Sequence, residues 1–353
     1  MFVVRAPGRV NLIGDHTDYQ EGFCLPMAID REVVVRVVPR GDGRVVARSD
    51  AIGGVVDLPA DGVEKPSTVD PRWGGALAAV LRLLSRSDRV AVGFDAEVTS
   101  TVPVGSGLSS SAAFAVACVI AASTASGDST PRQSVAWLAR AAEEAASGVP
   151  CGVMDQLASV FGRAGHALLL DCRTLEIVPV PLTTAIAVLV VHTGMARRLE
   201  DSAYAERRSG CKESARRIGV GMLRDATFDQ VAGDAFARHV VSENQRVLDF
   251  FDALRADDLE HCGRLMTASH ASLRDDFRVS TVELDVLVDA LVGAGAYGAR
   301  LTGAGFGGCA VALVPADRVD AVVAATVARY RSATGLTPTP FVVRSVDGAG
   351  VVT

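Results

Sequence analysis

Valine-rich runs separated by clusters of Gly, Asp and Pro open the chain. REVVVRVVP (31–39), GRVVARS (43–49) and VAVGFDAEVTSTVP (90–103) combine β-branched residues with partial two-residue alternation, which predicts strands, the last ending at Pro103. RWGGALAAVLRLLSR (72–86) interrupts them with a helical pattern. From Ser109 the pattern turns helical, first in SSSAAFAVACVIAAS (109–123), then in PRQSVAWLARAAEEAAS (131–147) with proline near its first turn. HALLLDC (166–172), LEIVPVPL (175–182) and AIAVLVVHTG (185–194) read as strands, and a charged helical block begins at about Ala203. The last third alternates helices (282–295 and 316–332) with strands (309–314 and 339–346). This order predicts an α+β or mixed α/β chain without internal repeats, its two lobes meeting near residues 175–190.

Length supports the two lobes, since 353 residues is long for a single core. A composition of 49% hydrophobic and 22% charged residues is that of an ordinary globular protein. Net charge −6 and an isoelectric point near 5.6 oppose a nucleic-acid binder, which needs clustered positive charge, yet leave room for a small anion held locally. No membrane partner is expected: the longest uncharged apolar run, 112–122, is too short to cross a bilayer, and MFVVRAPGR lacks the features of a secretory leader. Seven scattered cysteines without a CxxC pair or zinc spacing predict a reduced, cytoplasmic setting.

Four segments carry candidate chemistry. In TVPVGSGLSSSAAFAVA (101–117) two glycines make a permissive loop, and three serines open a helix whose first N–H groups and dipole suit a phosphate. The serine hydroxyls offer phosphate contacts or a Mg²⁺ ligand; the plainer alternative is a Ser N-cap after a tight turn. No Walker lysine follows, and no GxSxG elbow is present. In LTGAGFGGCAVALV (301–314), Gly303, Gly305 and Gly308 satisfy GxGxxG, but a buried-strand pattern follows where a dinucleotide fold needs a helix. This leaves either another phosphate loop or a tight strand–strand connection. Gly293, Gly295 and Gly298 match the same spacing but follow a helix and read as its stop.

In GVPCGVMDQLASVFG (148–162), Asp155 is either a helix N-cap or a base or charge anchor in a cleft. Glu143 and Glu144 sit late in the preceding helix, against its dipole, as Mg²⁺ ligands or a solvated face. In APGRVNLIGDHTDYQEGFCLPMAI (6–29), Asp15, His16 and Asp18 make a weak metal set but a good set of donors and acceptors for vicinal hydroxyls.

Together these segments resemble the GHMP small-molecule kinases, and within them the galactokinase family, over nearly the whole chain and in order. GRVNLIGDHTDYQEGFCLPMAI resembles the sugar signature, PVGSGLSSSAA the phosphate loop, GVPCGVMDQ the catalytic-aspartate segment, SAYAERRSGC the sugar-contacting tyrosine segment, and LTGAGFGGCAVALV the third motif. The resemblance implies an α+β, two-domain GHMP kinase fold. Its N-terminal domain, residues 1–180, would be ribosomal protein S5 domain 2-like, and its α/β C-terminal domain would span 181–353. It implies an ATP- and Mg²⁺-dependent sugar 1-kinase, working as a monomer on a small-molecule sugar, galactose first.

By the same resemblance Asp155 and Arg9 are catalytic, and Asp15, His16, Asp18, Gly152 and Tyr204 bind sugar. Gly105, Ser106, Gly107, Leu108, Ser109, Ser110 and Ser111 bind ATP, Gly303, Gly305 and Gly307 form the third loop, and Ser111 and Glu143 are the Mg²⁺ ligands. Three departures stand out. Asp15 replaces the family's usual Glu, which implies altered or water-bridged contact with the sugar's C6 hydroxyl. MARRL (195–199) replaces a VRH-like run, so Arg197 and Arg198 are either solvated charges or contacts to an acidic group. PRWGGALAAV (71–80) lacks the family's usual Tyr and Lys, so the adenine pocket cannot be carried over. Alternatives are a kinase for galactosamine, N-acetylgalactosamine, arabinose or a uronic acid, a silent galactose- and ATP-sensing regulator, or, remotely, a metal-dependent hydrolase using the DHTD cluster.

Overall fold

The computed structural model describes residues 1–85, 90–103, 105–195 and 200–352. Its first half comprises β1 (Phe2–Asn11), β2 (Phe23–Cys24), β3 (Pro26–Arg40), β4 (Arg44–Ser49), β5 (Val55–Pro59), α1 (Gly74–Leu84), β6 (Gly93–Ser100), α2 (Ser110–Ala125), α3 (Arg132–Ser147), α4 (Met154–Phe161), β7 (His166–Asp171) and β8 (Ile177–Pro181). The second half comprises β9 (Ile186–His192), α5 (Glu200–Ile218), α6 (Phe228–Val231), α7 (Ala235–Arg255), α8 (Leu259–Asp275), α9 (Val282–Gly293), β10 (Gly298–Thr302), β11 (Cys309–Pro315), α10 (Val319–Thr334), β12 (Thr339–Val343) and β13 (Gly350–Val352).

A six-stranded sheet in the order β13-β1-β3-β6-β4-β5 carries the first half; only its β4–β6 pair is parallel. Helix α2 lies across β1 and β3 between α1, α3 and α4. It is apolar on every side, and its small residues, among them Ala113, Ala117 and Ala121, are buried all round. Such a helix has no solvent face to offer, which is why it sits at the centre of its layer. The second half is built on an antiparallel sheet, β10-β11-β9-β12, packed by α8, α9 and α10. A small sheet, β2-β7-β8, packs against β3 and α7. One core cluster joins Val10, Leu12 and Met27 to Val190, Phe250 and Val311, so the two halves share buried apolar surface.

Three features escape the sequence pattern. The charged block beyond 203 resolves into α5 and the long antiparallel pair α7 and α8. The strand expected to reach Pro103 leaves the sheet after Ser100, although the Thr101 N–H still donates to the Glu32 carbonyl at 2.9 Å. The last strand, β13, returns to the edge of the first sheet against β1. No helix among the described residues is long and apolar enough to cross a membrane.

Candidate active site

The site begins with a bulge. The β1–β3 register slips between Pro7, opposite Glu32, and Arg9, opposite Ala28, with the extra residues on the β3 side and a proline without an N–H at the break. Gly8 is required there, because a Cβ would meet the Leu108 carbonyl at 2.7 Å. That close approach lets the Arg9 N–H donate to Leu108 O at 3.1 Å and Nη1 donate to Gly107 O at 2.5 Å.

The remaining Arg9 donors grip Asp155, with Nε to Oδ1 at 2.7 Å and Nη2 to Oδ2 at 2.8 Å. The Ser109 hydroxyl donates to the same Oδ2. Asp155 lies inside the first turn of α4, beyond the cap position Val153, so the N-cap alternative for it is withdrawn. The plain N-cap reading of the serines falls too. Ser109 does occupy the cap position of α2, but in a left-handed conformation that turns its hydroxyl to Asp155 rather than to the helix amides.

Arg9 and Asp155 line a cavity of about 160 Å³ with Asp15, His16, Asp18, Tyr204, Gly152 and the loop residues Gly303 and Ala304. A cavity near 150 Å³ admits one benzene-sized ring, and this one is lined by charged and hydroxyl groups, as a polyol requires. The Asp18 carboxylate packs against Gly152 so closely that no side chain fits there. Burial, then the Asp155 charge, raises the Asp18 carboxyl to about 6.

His16 donates from Nε2 to the Ala304 carbonyl at 3.3 Å, which leaves Nδ1 to accept from the Tyr19 hydroxyl at 3.0 Å. Burial, then the neighbouring His239, lowers its pKa to about 3, so it is a neutral, fixed ring. Asp15 accepts from the Gly303 N–H at 3.2 Å and touches Arg300 with its other oxygen. The three residues of the DHTD cluster therefore do not converge on one ion, and no metal-holding group of three occurs among the described His, Cys, Asp and Glu residues. The hydrolase alternative is set aside on that geometry.

A second, larger cavity of about 610 Å³ adjoins the first, sharing Glu143, Cys151, Tyr204 and Ala304. Ser110 and Ser111, at the start of α2, lie on its wall, with Trp73, Phe114, Val33 and Val98 as apolar lining. Trp73 and Phe114 meet edge to face at 5.8 Å. The rest of the 105–111 stretch is divided. Ser106 is buried with its hydroxyl on Pro103 O at 2.6 Å, Leu108 is in the core, and Gly105 is at the exposed tip.

Glu143 stands at the seam of the two cavities. It takes a hydrogen bond from Gln156 Nε2 at 2.7 Å and another from Ser111, and burial pushes its carboxyl up to about 7. Glu144, its neighbour in the helix, instead holds the 151 loop, accepting from the Cys151 N–H at 2.9 Å and from Arg140. The glycine loop of the third motif joins β10 to β11, so it is a strand–strand connection whose first residues clamp Asp15 and His16. Gly305 and Gly307 complete that turn in left-handed conformations. Arg197 and Arg198 lie outside the described residues.

Sequence reasoning missed Arg300, Glu243 and the apolar lining around Trp73. The first two were lost in strand and helix patterns; a charged residue inside an otherwise buried strand, GARLT, was the available signal for Arg300.

Comparison with known proteins agrees with this geometry. Three family models match: the galactokinase galactose-binding signature over residues 1–39, the GHMP kinases N terminal domain over 75–163 and the GHMP kinases C terminal over 250–331. Galactokinases of Roseiflexus sp. (strain RS-1) and Chloroflexus aggregans are each 43% identical over 99% of this chain, and 93% and 92% of their own lengths are covered. The crystal structure of Lactococcus lactis galactokinase complexed with galactose superposes with a TM-score of 0.94 at 31% identity, covering 99% of this chain and 94% of that one. A mevalonate kinase from Methanococcus jannaschii shares the fold alone, with a TM-score of 0.74 at 18% identity over 98% of each chain.

Proposed function

The chain belongs to the galactokinase family of the GHMP kinases, and on that premise we propose that it transfers the γ-phosphoryl group of ATP to the anomeric hydroxyl of α-D-galactose, giving α-D-galactose 1-phosphate and ADP. The observation that carries this reading is the Arg9–Asp155 pair, set in a small polar cavity that opens onto a larger, partly apolar one. Galactose occupies the first cavity and the nucleotide the second. The completeness of the pair favours an enzyme over a silent sugar sensor.

Phosphoryl transfer needs alignment and charge stabilisation more than covalent help. A carboxylate offers about four acceptor positions, and Asp155 already receives two hydrogen bonds from Arg9 and one from Ser109. About one acceptor position is left. It receives the anomeric O–H, orients that oxygen toward the γ-phosphorus, and takes the proton as the new O–P bond forms and the bond from the γ-phosphorus to the departing ADP oxygen breaks. Arg9, fixed on both carboxylate oxygens, offsets negative charge building between nucleophile and phosphate.

Ser111 and Glu143 are hard oxygen donors on one side of the seam, the donor type that suits Mg²⁺, and they would hold that ion. When bound, it neutralises part of the triphosphate charge. Asp15, Asp18, His16, Gly152 and Tyr204 shape the sugar cavity, within a chain that works as a cytoplasmic monomer. The test is ADP release across a panel of aldoses with ATP, with and without Mg²⁺. Turnover greatest on galactose and abolished by a chelator is the expected result; no turnover on any aldose overturns the reading.

A further inference from the structure

Beneath the sugar cavity lies a buried charged cluster that the reaction itself does not use. Arg300, on β10, is fully buried, with Nη1 donating to the Asn11 carbonyl at 3.2 Å and Nη2 against Asp15 Oδ2. Glu243 of α7 also feels the Arg300 charge, which helps to hold its carboxyl down, but its hydrogen bonds go to other groups. Oε1 accepts from the Gly14 N–H at 3.0 Å and from Ser269 at 2.5 Å, and Oε2 accepts from Arg246 at 2.7 Å. Asp15 is the carboxylate in direct contact with Arg300. Its other oxygen is tied to the Gly303 N–H, so Asp15 is held from two sides.

Asp15 Oδ2 and Arg300 Nη2 meet as an ion pair outside the angles of an aligned hydrogen bond, with Asn11 beside the same carboxylate. A buried acceptor in that state retains capacity toward the cavity it lines. Arg300 does not line the cavity and reaches it through Asp15.

We propose that Arg300 is a positioning residue for sugar recognition, holding the Asp15 carboxylate in one rotamer so that the hydroxyl it meets is read by an Asp15–Arg300 couple rather than by a lone carboxylate. The proposal rests on the sugar-kinase reading above. It also gives the missing methylene of Asp15 a consequence: the shorter side chain ends in contact with Arg300.

Charge follows position. Burial favours the neutral form of Asp15, while Arg300 and then Arg9 of β1 oppose this. The other ionisable groups acting on this cluster are His16 and Asp18 from the same loop, Arg207 from α5, His239, Glu243 and Arg246 from α7, and His270 of α8 with its partner Asp285 of α9. With Arg300 gone, Asp15 takes up a proton at higher pH, and sugar binding weakens as pH falls. Asp18 titrates in the same range and feels the Asp15 charge, so the whole pH profiles of variant and parent are compared.

The experiment measures galactose binding by calorimetry and turnover at pH 6, 7 and 8 for the full chain and for Arg300→Met and Arg300→Lys. For Arg300→Met we expect a galactose Kd at least ~10-fold higher, a further weakening from pH 8 to 6 relative to the parent, and an unchanged ATP KM. Arg300→Lys, which keeps the buried charge and loses the fork, is expected to recover most of the pH profile and part of the affinity. If Arg300→Met does not fold, Arg300→Lys decides alone through its galactose Kd, which must rise at least ~3-fold. Parental galactose affinity and pH profile in the folded variants, or a loss shared equally with ATP, overturns the proposal. A parent chain that binds no aldose overturns the underlying sugar-kinase reading instead.

Discussion

Gly152→Ala tests the proposed sugar cavity most directly, because the perturbation is one methyl group at a known place. A Cβ at position 152 would lie 2.7 Å from Asp18 Oδ1, with Cγ and Oδ2 nearer still, all inside the 3.4 Å where ordinary contact begins. The carboxylate cannot simply swing aside, since Oδ1 accepts from the Tyr19 N–H at 2.9 Å and the group also takes the Met154 N–H. Either the carboxylate or the 151–154 loop moves, and a displacement of about 1 Å suffices to lose an aligned hydrogen bond. A hydrogen bond from a sugar hydroxyl to a charged carboxylate is worth roughly 1.5–3 kcal/mol, so galactose KM should rise ~10- to ~100-fold. The ATP KM should stay within about twofold, because position 152 does not line the larger cavity. Coupled ADP-release kinetics on Gly152→Ala, Asp18→Ala and the double variant give the cycle. The clash mechanism requires that Gly152→Ala have almost no effect once Asp18 is alanine. An equal loss in both backgrounds refutes it, as does a near-parental galactose KM in Gly152→Ala alone.

Asp155→Asn keeps the shape of the site but puts an amide donor against Arg9 or Ser109, and kcat should fall at least ~100-fold while galactose binding by calorimetry survives; near-normal turnover removes Asp155 from the mechanism. Asp18 has a raised folded-state pKa, about 6 against 3.8, so the ligand-free protein loses stability as pH rises through that window and carries the full penalty above it. Asp18→Asn should therefore stabilise the ligand-free protein at pH 8 by on the order of 2 kcal/mol, with the gain vanishing near pH 4 in urea titrations. A constant gain at every pH contradicts this account. Trp73→Ala should raise ATP KM several-fold with galactose KM unchanged, since only the larger cavity contains the indole; equal effects on both substrates would argue against separate sites.

Most element types and the residues that carry candidate chemistry are legible along the chain. Valine runs, the small-residue helix from Ser110 and the glycine turns are written in neighbouring residues, because strand period, helix period and turn conformation are local properties. The carboxylate, arginine and serine-rich segments were visible for the same reason. Which alternative each segment takes depends on contacts between distant residues. Asp155 is a charge anchor and not a cap because Arg9, 146 positions away, reaches both its oxygens. Glu143 faces the cavities and Glu144 the loop, a choice made by how α3 packs on its neighbours rather than by the sequence of α3. Trp73 and Phe114 become one wall, and Arg300 finds Asp15, only when the halves of the chain close on a shared core. Pairings between distant residues depend on that closure, and no short-range pattern in a single chain encodes it.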